Sequence, residues 1–475
     1  MASFAAIDRN GNALDIDSTK VDALKLALRG NLIGANDAGY HESRSVWNAM
    51  IDKKPALIAR PLGTADVIAC VNFARETGIA LSIKGGGHNV AGLAVAEGGL
   101  LIDNSLMRGC FVDPKVRIAH AQAGCILGDV DRETQVHDLA AVLGFVSMTG
   151  VAGLTLGGGF GYLSRRFGWT SDNVRSMTMV TSEGKLVRAS AEENADLFWG
   201  LRGGGGNFGV VTDIEYQLYP VGQDIYGGAI AWSADQAAEV YDLYHKIAEH
   251  APHELAVVCV YRLAPPAPWI AKEFHGKPVV AMFVCYTGKI EEGEKLMAPV
   301  KAFGKPVGDI LMKRSYVSQQ SLLDAANPKG RRYYWKSEYL PGIGSDLYKG
   351  LIEGGKNILS PHSAVILFPM GGAIGQHANS HSAVGNRNAN WVFNIAGSWD
   401  KAEDDIANVE WARATWKSLK HFGTGGTYIN FLTEEESGDR IQAAYGMNLE
   451  RLSRVKNTWD PQNMFRVNKN VQPVA

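Results

Sequence analysis

The chain has 475 residues, with 47 Lys+Arg against 49 Asp+Glu and a formal net charge of −2. That length predicts two or three domains with full cores, and the balanced charge argues against a nucleic-acid or acidic-membrane partner. Apolar residues at 46% and charged ones at 20% exclude a disordered chain; the one departure is 54 glycines, about 11% against a usual ~7%.

In chain order, the N-terminal Met1-Ala-Ser-Phe-Ala-Ala-Ile-Asp8 meets charge at once and has no apolar h-region, so the expectation is a cytoplasmic protein. Thr64 is placed to cap a helix over 65–77, with Val67, Ile68, Val71 and Ala74 on one face and Gly78 as its stop. Residues 79–84 then read as a strand running into Gly85-Gly86-Gly87-His88. Short strands are expected at 99–102, 116–121 and 177–181, with a helix over 127–139. From Leu139 to Ser164, 26 residues carry no charge, formally enough to span a bilayer. Seven of them are glycine, which makes a poor helix, so a buried, glycine-rich ligand loop is expected instead. Beyond Val221 the runs 255–262, 278–286, 363–370 and 391–398 read as strands, with helices over 234–251 and 291–303 between them. The alternation in Trp391-Val-Phe-Asn-Ile-Ala-Gly-Ser398 suits an antiparallel sheet with one covered face. A helix over 434–458 and a turn at Asp460-Pro461-Gln462-Asn463 close the chain. Five cysteines, without CxxC spacing and among apolar neighbours, suggest buried thiols rather than a disulfide frame or a metal site.

The glycine surplus is local: 24 of the 125 residues from Gly85 to Gly209 are glycine, against 30 in the other 350. They fall in blocks, Gly85–Gly87, Gly157-Gly158-Gly159-Phe160-Gly161 and Gly203–Gly206. Glycine lets backbone amides approach a ligand closely, so three blocks in one domain suggest a long ligand held by main chain, such as a dinucleotide. Tight turns between short strands are the plain alternative. Gly204-Gly205-Gly206-Asn207-Phe208-Gly209 matches the Rossmann spacing by letter, but Val210-Val211-Thr212 after it reads as a strand and not a helix. No Walker lysine follows any block.

Taken together these segments resemble the berberine bridge enzyme-like flavin oxidases of the vanillyl-alcohol oxidase superfamily. The carriers are Gly85–Asn89, Thr149–Gly159, Asp196–Gly209, Tyr428-Ile429-Asn430, Ala444–Asn448 and Asp460–Phe465. The resemblance implies an α+β fold: a two-subdomain, p-cresol-methylhydroxylase-type (PCMH-type) FAD-binding domain and an α+β substrate domain with an antiparallel sheet. Its expected segments are 1–53 (N-terminal), 54–224 (FAD-binding), 225–425 (substrate) and 426–475, returning to the FAD domain.

What the resemblance implies about residues is specific. FAD is carried covalently by His88, with Lys84, Gly85, Gly86, Gly87, Asn89, Thr149, Gly150, Gly153, Leu154, Gly157, Gly158, Gly159, Gly161, Gly209, Val210, Val211 and Asn468 binding it. Many relatives carry a second, cysteinyl link four residues before the glycine matching Gly150. This chain has Val146 there and Cys125 does not match, so a histidyl link alone is expected. Tyr428 is the expected base or substrate-orienting group, with Asn430 contacting the ring. The strand where some relatives place a second acid–base group, 363–370, has no Asp, Glu or Tyr. The nearby Gln376, His362 and His377 read as structural. The Tyr333-Tyr334-Trp335-Lys336 run is an alternative pocket wall, with Tyr334 a catalytic candidate. Thr149, just before the motif glycine, fits an oxidase. The expected activity is hydride transfer from a sugar or natural-product hydroxyl to FAD and then to O2, giving H2O2. A cyclic-amine oxidase or oxidative cyclase is the alternative, and a non-catalytic flavoprotein a remote one. The expected partners are a small-molecule substrate and O2, without metal, nucleic acid or membrane.

Overall fold

A computed structural model describes residues 3–474. The first sheet has the order Asn31–Gly34, Leu57–Arg60, Leu100–Asp103, Leu81–Lys84. Its last three strands run parallel, because the Thr64–Thr77 helix carries the chain over one face between Leu57–Arg60 and Leu81–Lys84. That helix buries Val67, Cys70, Val71 and Ala74 and ends on Gly78 in the left-handed conformation. Thr64 is its first residue; the cap is Gly63, and no side chain completes it.

The second sheet is antiparallel, in the order Leu186–Ser190, Val174–Thr181, Gly209–Gln217, Ile118–Gln122, Cys110–Asp113. Gly209 therefore opens a strand, and the Rossmann-like spacing before it leads to no helix. The expected helix over 127–139 stops at Gln135, and Leu139–Ala140 pairs instead with Tyr219–Pro220. The uncharged 139–164 segment is mostly loop, with a single six-residue helix at Val151–Leu156. Among the described residues no helix is long and apolar enough to cross a membrane.

The large third sheet is antiparallel throughout. Its order is Pro306–Asp309, Asp224–Ser233, Pro278–Tyr286, Leu255–Leu263, Ala364–Pro369, Trp391–Trp399, Arg332–Leu340, with Met312–Ser315 pairing beside Asp224–Ser233. Strand alternation gives it two different faces. The outer face buries Tyr334, Val365, Leu367, Phe393 and Ile395 in one core with Tyr241, Leu351 and Trp411 of the helices Ala237–Glu249, Ser345–Lys356 and Asp405–Leu419. The inner face presents Trp335, Ile366, Phe368, Asn394 and Ala396 to the glycine-rich half of the molecule.

The expected helix over 434–458 is two helices, Asp439–Tyr445 and Leu449–Trp459, interrupted at Gly446 with φ +55°. The Asp460 turn behind it is anchored deep in the protein. Lys456 and Asp460 form a fully buried ion pair at 2.6 Å; Asp460 also accepts the Met464 and Phe465 amides, and Lys456 donates to the Asn207 and Phe465 carbonyls. Full hydrogen bonding offsets the cost of burying both charges. Its consequence is that the C-terminal strip is pinned across the 203–209 glycine block. All five cysteines are free; four are buried and Cys110 is half-buried.

Candidate active site

Between the first two sheets with their glycine-rich loops and the inner face of the large sheet lies a cleft of about 350 Å3, within the size range of small-molecule sites. Gly85, Gly86, Gly87, His88, Asn89, Thr149, Gly150, Gly153, Leu154, Gly209, Val211 and Asn468 line it. The Gly85–Gly87 turn and Gly150 approach each other through bare backbone: a Cβ on Gly86 would sit 2.5 Å from the Gly150 nitrogen. Only glycine permits that crossing, which leaves main chain facing the cleft.

Six expected cofactor residues lie elsewhere. Lys84 turns its ammonium away, to Asp103 at 3.1 Å and the Ser43 carbonyl. Val210 alternates to the opposite side of its strand and joins the core of the first sheet. Gly157 abuts the Asn430 side chain, Gly158 packs against Trp169 and Val384, and Gly161 meets the Leu143 backbone. Gly159 donates its N–H to Tyr428 Oη at 3.0 Å. This block thus seats the Tyr428–Asn430 element and does not line the cleft.

His88 lines the cleft, with burial pushing its pKa down to about 4. The ring is therefore neutral at neutral pH and carries a nitrogen lone pair, and the buried Nε2 has no hydrogen-bond partner. Trp47 stacks on it at 4.3 Å between ring centroids and is itself stacked on Tyr333. Its indole N–H donates to the Asn327 carbonyl at 2.9 Å. The carboxamide oxygens of Asn104 and Asn468, both in the cleft wall, are also buried without partners. Unpartnered polar atoms beside exposed backbone are what a polar, ring-bearing cofactor such as FAD would satisfy. Val146 lines the cleft, whereas Cys125 lies outside it with its thiol pushed up to about 12 by burial.

Tyr428 is buried in the wall of the same cleft. Its phenolic oxygen accepts the Gly159 N–H and, at 2.9 Å, the Asn430 Nδ2–H. Desolvation raises its pKa well above the ordinary tyrosine value, while those two donors pull it back. Asn430 also donates to the Leu154 carbonyl at 3.2 Å, which ties the element to the cradle. Phe160 packs edge-on against Tyr428, and Phe145, Phe368 and Phe431 extend the aromatic wall.

Tyr334 does not reach the cleft. It lies on the outer face of the large sheet, where its hydroxyl donates to Glu435 and accepts Arg413 Nε at 2.8 Å. Its neighbour Trp335, one residue on, is the cleft residue. In the 363–370 strand the inward positions are Ile366 and Phe368, so no acid–base partner for Tyr428 comes from there. His362 bonds Asp400, His377 stacks on His381, and neither these nor Gln376 line the cleft. Sequence reasoning missed Trp47, Asn207, Asn394 and Lys469. Asn207 bridges the Gly204 and Lys469 carbonyls and the Val471 amide, and its place within the glycine block was the only available signal.

Two family models match the chain: an FAD binding domain over residues 55–190 and the berberine and berberine-like segment over 427–472. An (R)-6-hydroxynicotine oxidase of Paenarthrobacter nicotinovorans is 29% identical over 95% of this chain and 98% of its own length. A chitooligosaccharide oxidase of Gibberella zeae is 26% identical over 96% of both chains. The crystal structure of 6-hydroxy-D-nicotine oxidase from Arthrobacter nicotinovorans superposes with a TM-score of 0.82 at 26% identity, covering 94% of this chain and 99% of that one. The two matched segments contain the glycine cradle with His88 and the Tyr428–Asn430 element, which the fold brings to one cleft. The chain thus carries the FAD binding domain and the berberine-like segment, and over nearly its whole length it is similar to berberine bridge enzyme-like FAD-linked oxidases.

Proposed function

We propose that this enzyme oxidises a neutral alcohol, with FAD attached through His88 alone and O2 as the final acceptor, giving H2O2. The observation that carries the reading is the pairing, in one cleft, of a neutral His88 with an unpartnered nitrogen and a Tyr428 oxygen held by two N–H donors. When bound, FAD supplies the hydride acceptor and the route to O2. In this reading 54–224 and 426–475 hold the cofactor, and 225–425 roofs it.

Tyr428 orients the substrate oxygen. Burial keeps its phenol protonated in the protein alone, and the Gly159 and Asn430 donors stabilise negative charge on that oxygen when a proton leaves. The lining residues include no Asp or Glu, so a cationic substrate would find no counter-ion there. That favours an alcohol, or an amine in its neutral form as second substrate class; the nicotine-type relative makes the amine worth testing. A peroxide-coupled screen of alcohols, sugars and cyclic amines tests the activity. Mass analysis of the flavin peptide tests the link: flavin on His88 supports it, and flavin on a cysteine overturns it.

A further inference from the structure

Asn394 lies mid-strand in Trp391–Trp399, paired with Ile366 on one side and Ser337 on the other. It faces the cleft, is 2% exposed, and its Oδ1 has no hydrogen-bond partner. A buried carboxamide oxygen left unpaired has lost its water and gained nothing in return, so it points to an occupant that donates to it. The other polar groups of this wall are few. Ser337 Oγ is taken by Thr427 Oγ1 at 2.7 Å, and the Trp335 indole N–H is buried and unpartnered like Asn394. Lys469 reaches the cleft, but its ammonium is held by the Thr433 and Glu436 carbonyls. Around Asn394 the wall is Trp335, Ile366, Phe368 and Ala396, with Phe160 packed edge-on against Phe368 and Phe431 edge-on against Trp335.

A sugar ring carries several hydroxyls, and each one buried needs a partner. This wall supplies one free acceptor oxygen and two donor groups, the Trp335 indole N–H and the carboxamide NH2 of Asn394 itself, in an aromatic box. We propose that Asn394 is the specificity-determining residue of this cleft, its Oδ1 accepting a single O–H or N–H donor from a neutral, apolar, ring-bearing substrate, and that oligosaccharides are excluded. The assignment rests on the reading of this cleft as the substrate site of the oxidase and narrows that reading to one substrate class. A site built around one hydrogen bond rejects the analogue lacking it, because the protein group is then left unpaired.

The test is binding to the flavin-loaded enzyme by equilibrium dialysis, with three probes: 1-naphthylmethanol, 1-methylnaphthalene and cellobiose. The alcohol is expected to bind about tenfold or more tighter than its methyl analogue, with cellobiose not retained at the same concentration. Asn394→Leu should abolish the preference for the alcohol while keeping its flavin and its affinity for 1-methylnaphthalene. Asn394→Gln, which keeps the carboxamide, should retain part of that preference. Equal binding of the two naphthalenes by the unaltered enzyme, retention of cellobiose, or discrimination that survives in Asn394→Leu overturns the proposal. So does loss of flavin from Asn394→Leu, which would assign the residue to the cofactor. Intact affinities without turnover of any alcohol or amine would instead sink the oxidase reading and leave the binding assignment standing.

Discussion

The Gly159 amide and the Tyr428 phenolic oxygen lie 3.0 Å apart, although 269 residues separate them in sequence. Gly159 has φ +75°, and a Cβ there would sit 2.5 Å from the Thr170 hydroxyl, so the amide that steadies the phenol depends on glycine. The same contact joins the two segments of the chain that the family models match, and it lies at the wall of the cleft.

Tyr428→Phe should slow anaerobic flavin reduction by about 10²–10⁴-fold, the usual range for a lost proton-transfer group. Rapid mixing with substrate under anaerobic conditions measures it. An unchanged rate removes Tyr428 from the chemistry.

Tyr334→Phe is expected to leave that rate within about twofold, because the hydroxyl faces Glu435 and Arg413 on the far side of the sheet. Stability should fall by about 1 kcal/mol through the lost hydrogen bonds, read by urea unfolding. A large rate loss without destabilisation would contradict this placement.

His88→Ala should yield protein from which acid precipitation releases all flavin into the supernatant. In the unaltered enzyme the yellow colour should stay with the pellet. Because the imidazole is neutral and its Nε2 holds no partner in the structure, folding should survive the change. Trp47 and the glycine cradle would still shape the pocket, so reversibly bound FAD remains measurable by fluorescence titration.

Asp131 is fully buried, accepts one bond from Gln320 at 3.1 Å, and has its pKa pushed up to about 7 by burial. In the folded protein it binds a proton that the unfolded chain releases near pH 4, so stability falls as pH rises from about 4 to 7 and levels above that. Asp131→Asn keeps the acceptor and removes the titration. Its melting temperature relative to the unaltered protein should therefore rise across that interval; a constant difference would show that the carboxyl does not titrate there.

Removing one partner of the buried Lys456–Asp460 pair, as in Asp460→Ala, should cost about 3–5 kcal/mol. It also strips the Met464 and Phe465 amides of their acceptor. A lower share of chains that acquire flavin during folding should accompany the lower urea midpoint, since Asn468 sits three residues beyond Phe465 in the cleft wall. Undiminished flavin content per chain would mean that the strip does not help close the site.

The sequence by itself determined the parts of this protein that are local. Glycine blocks announce backbone that must come close to something, and His88, Asn89, Thr149 and Gly150 all lie in the cleft because their own loops put them there. Periodicity likewise carried the long strands, whose alternation needs no partner to be read. Tertiary structure decided everything that depends on which face of an element meets the cleft. A one-residue difference in a strand reverses the side, so Trp335 lies inside and Tyr334 outside, and Val211 inside while Val210 joins another core. The Gly157–Gly159 block reads as cofactor cradle, yet it seats Tyr428 and Asn430 from more than 260 residues away. Trp47 on His88 and Asn394 between Ile366 and Ser337 are contacts across long stretches of chain, and no spacing within either segment encodes them.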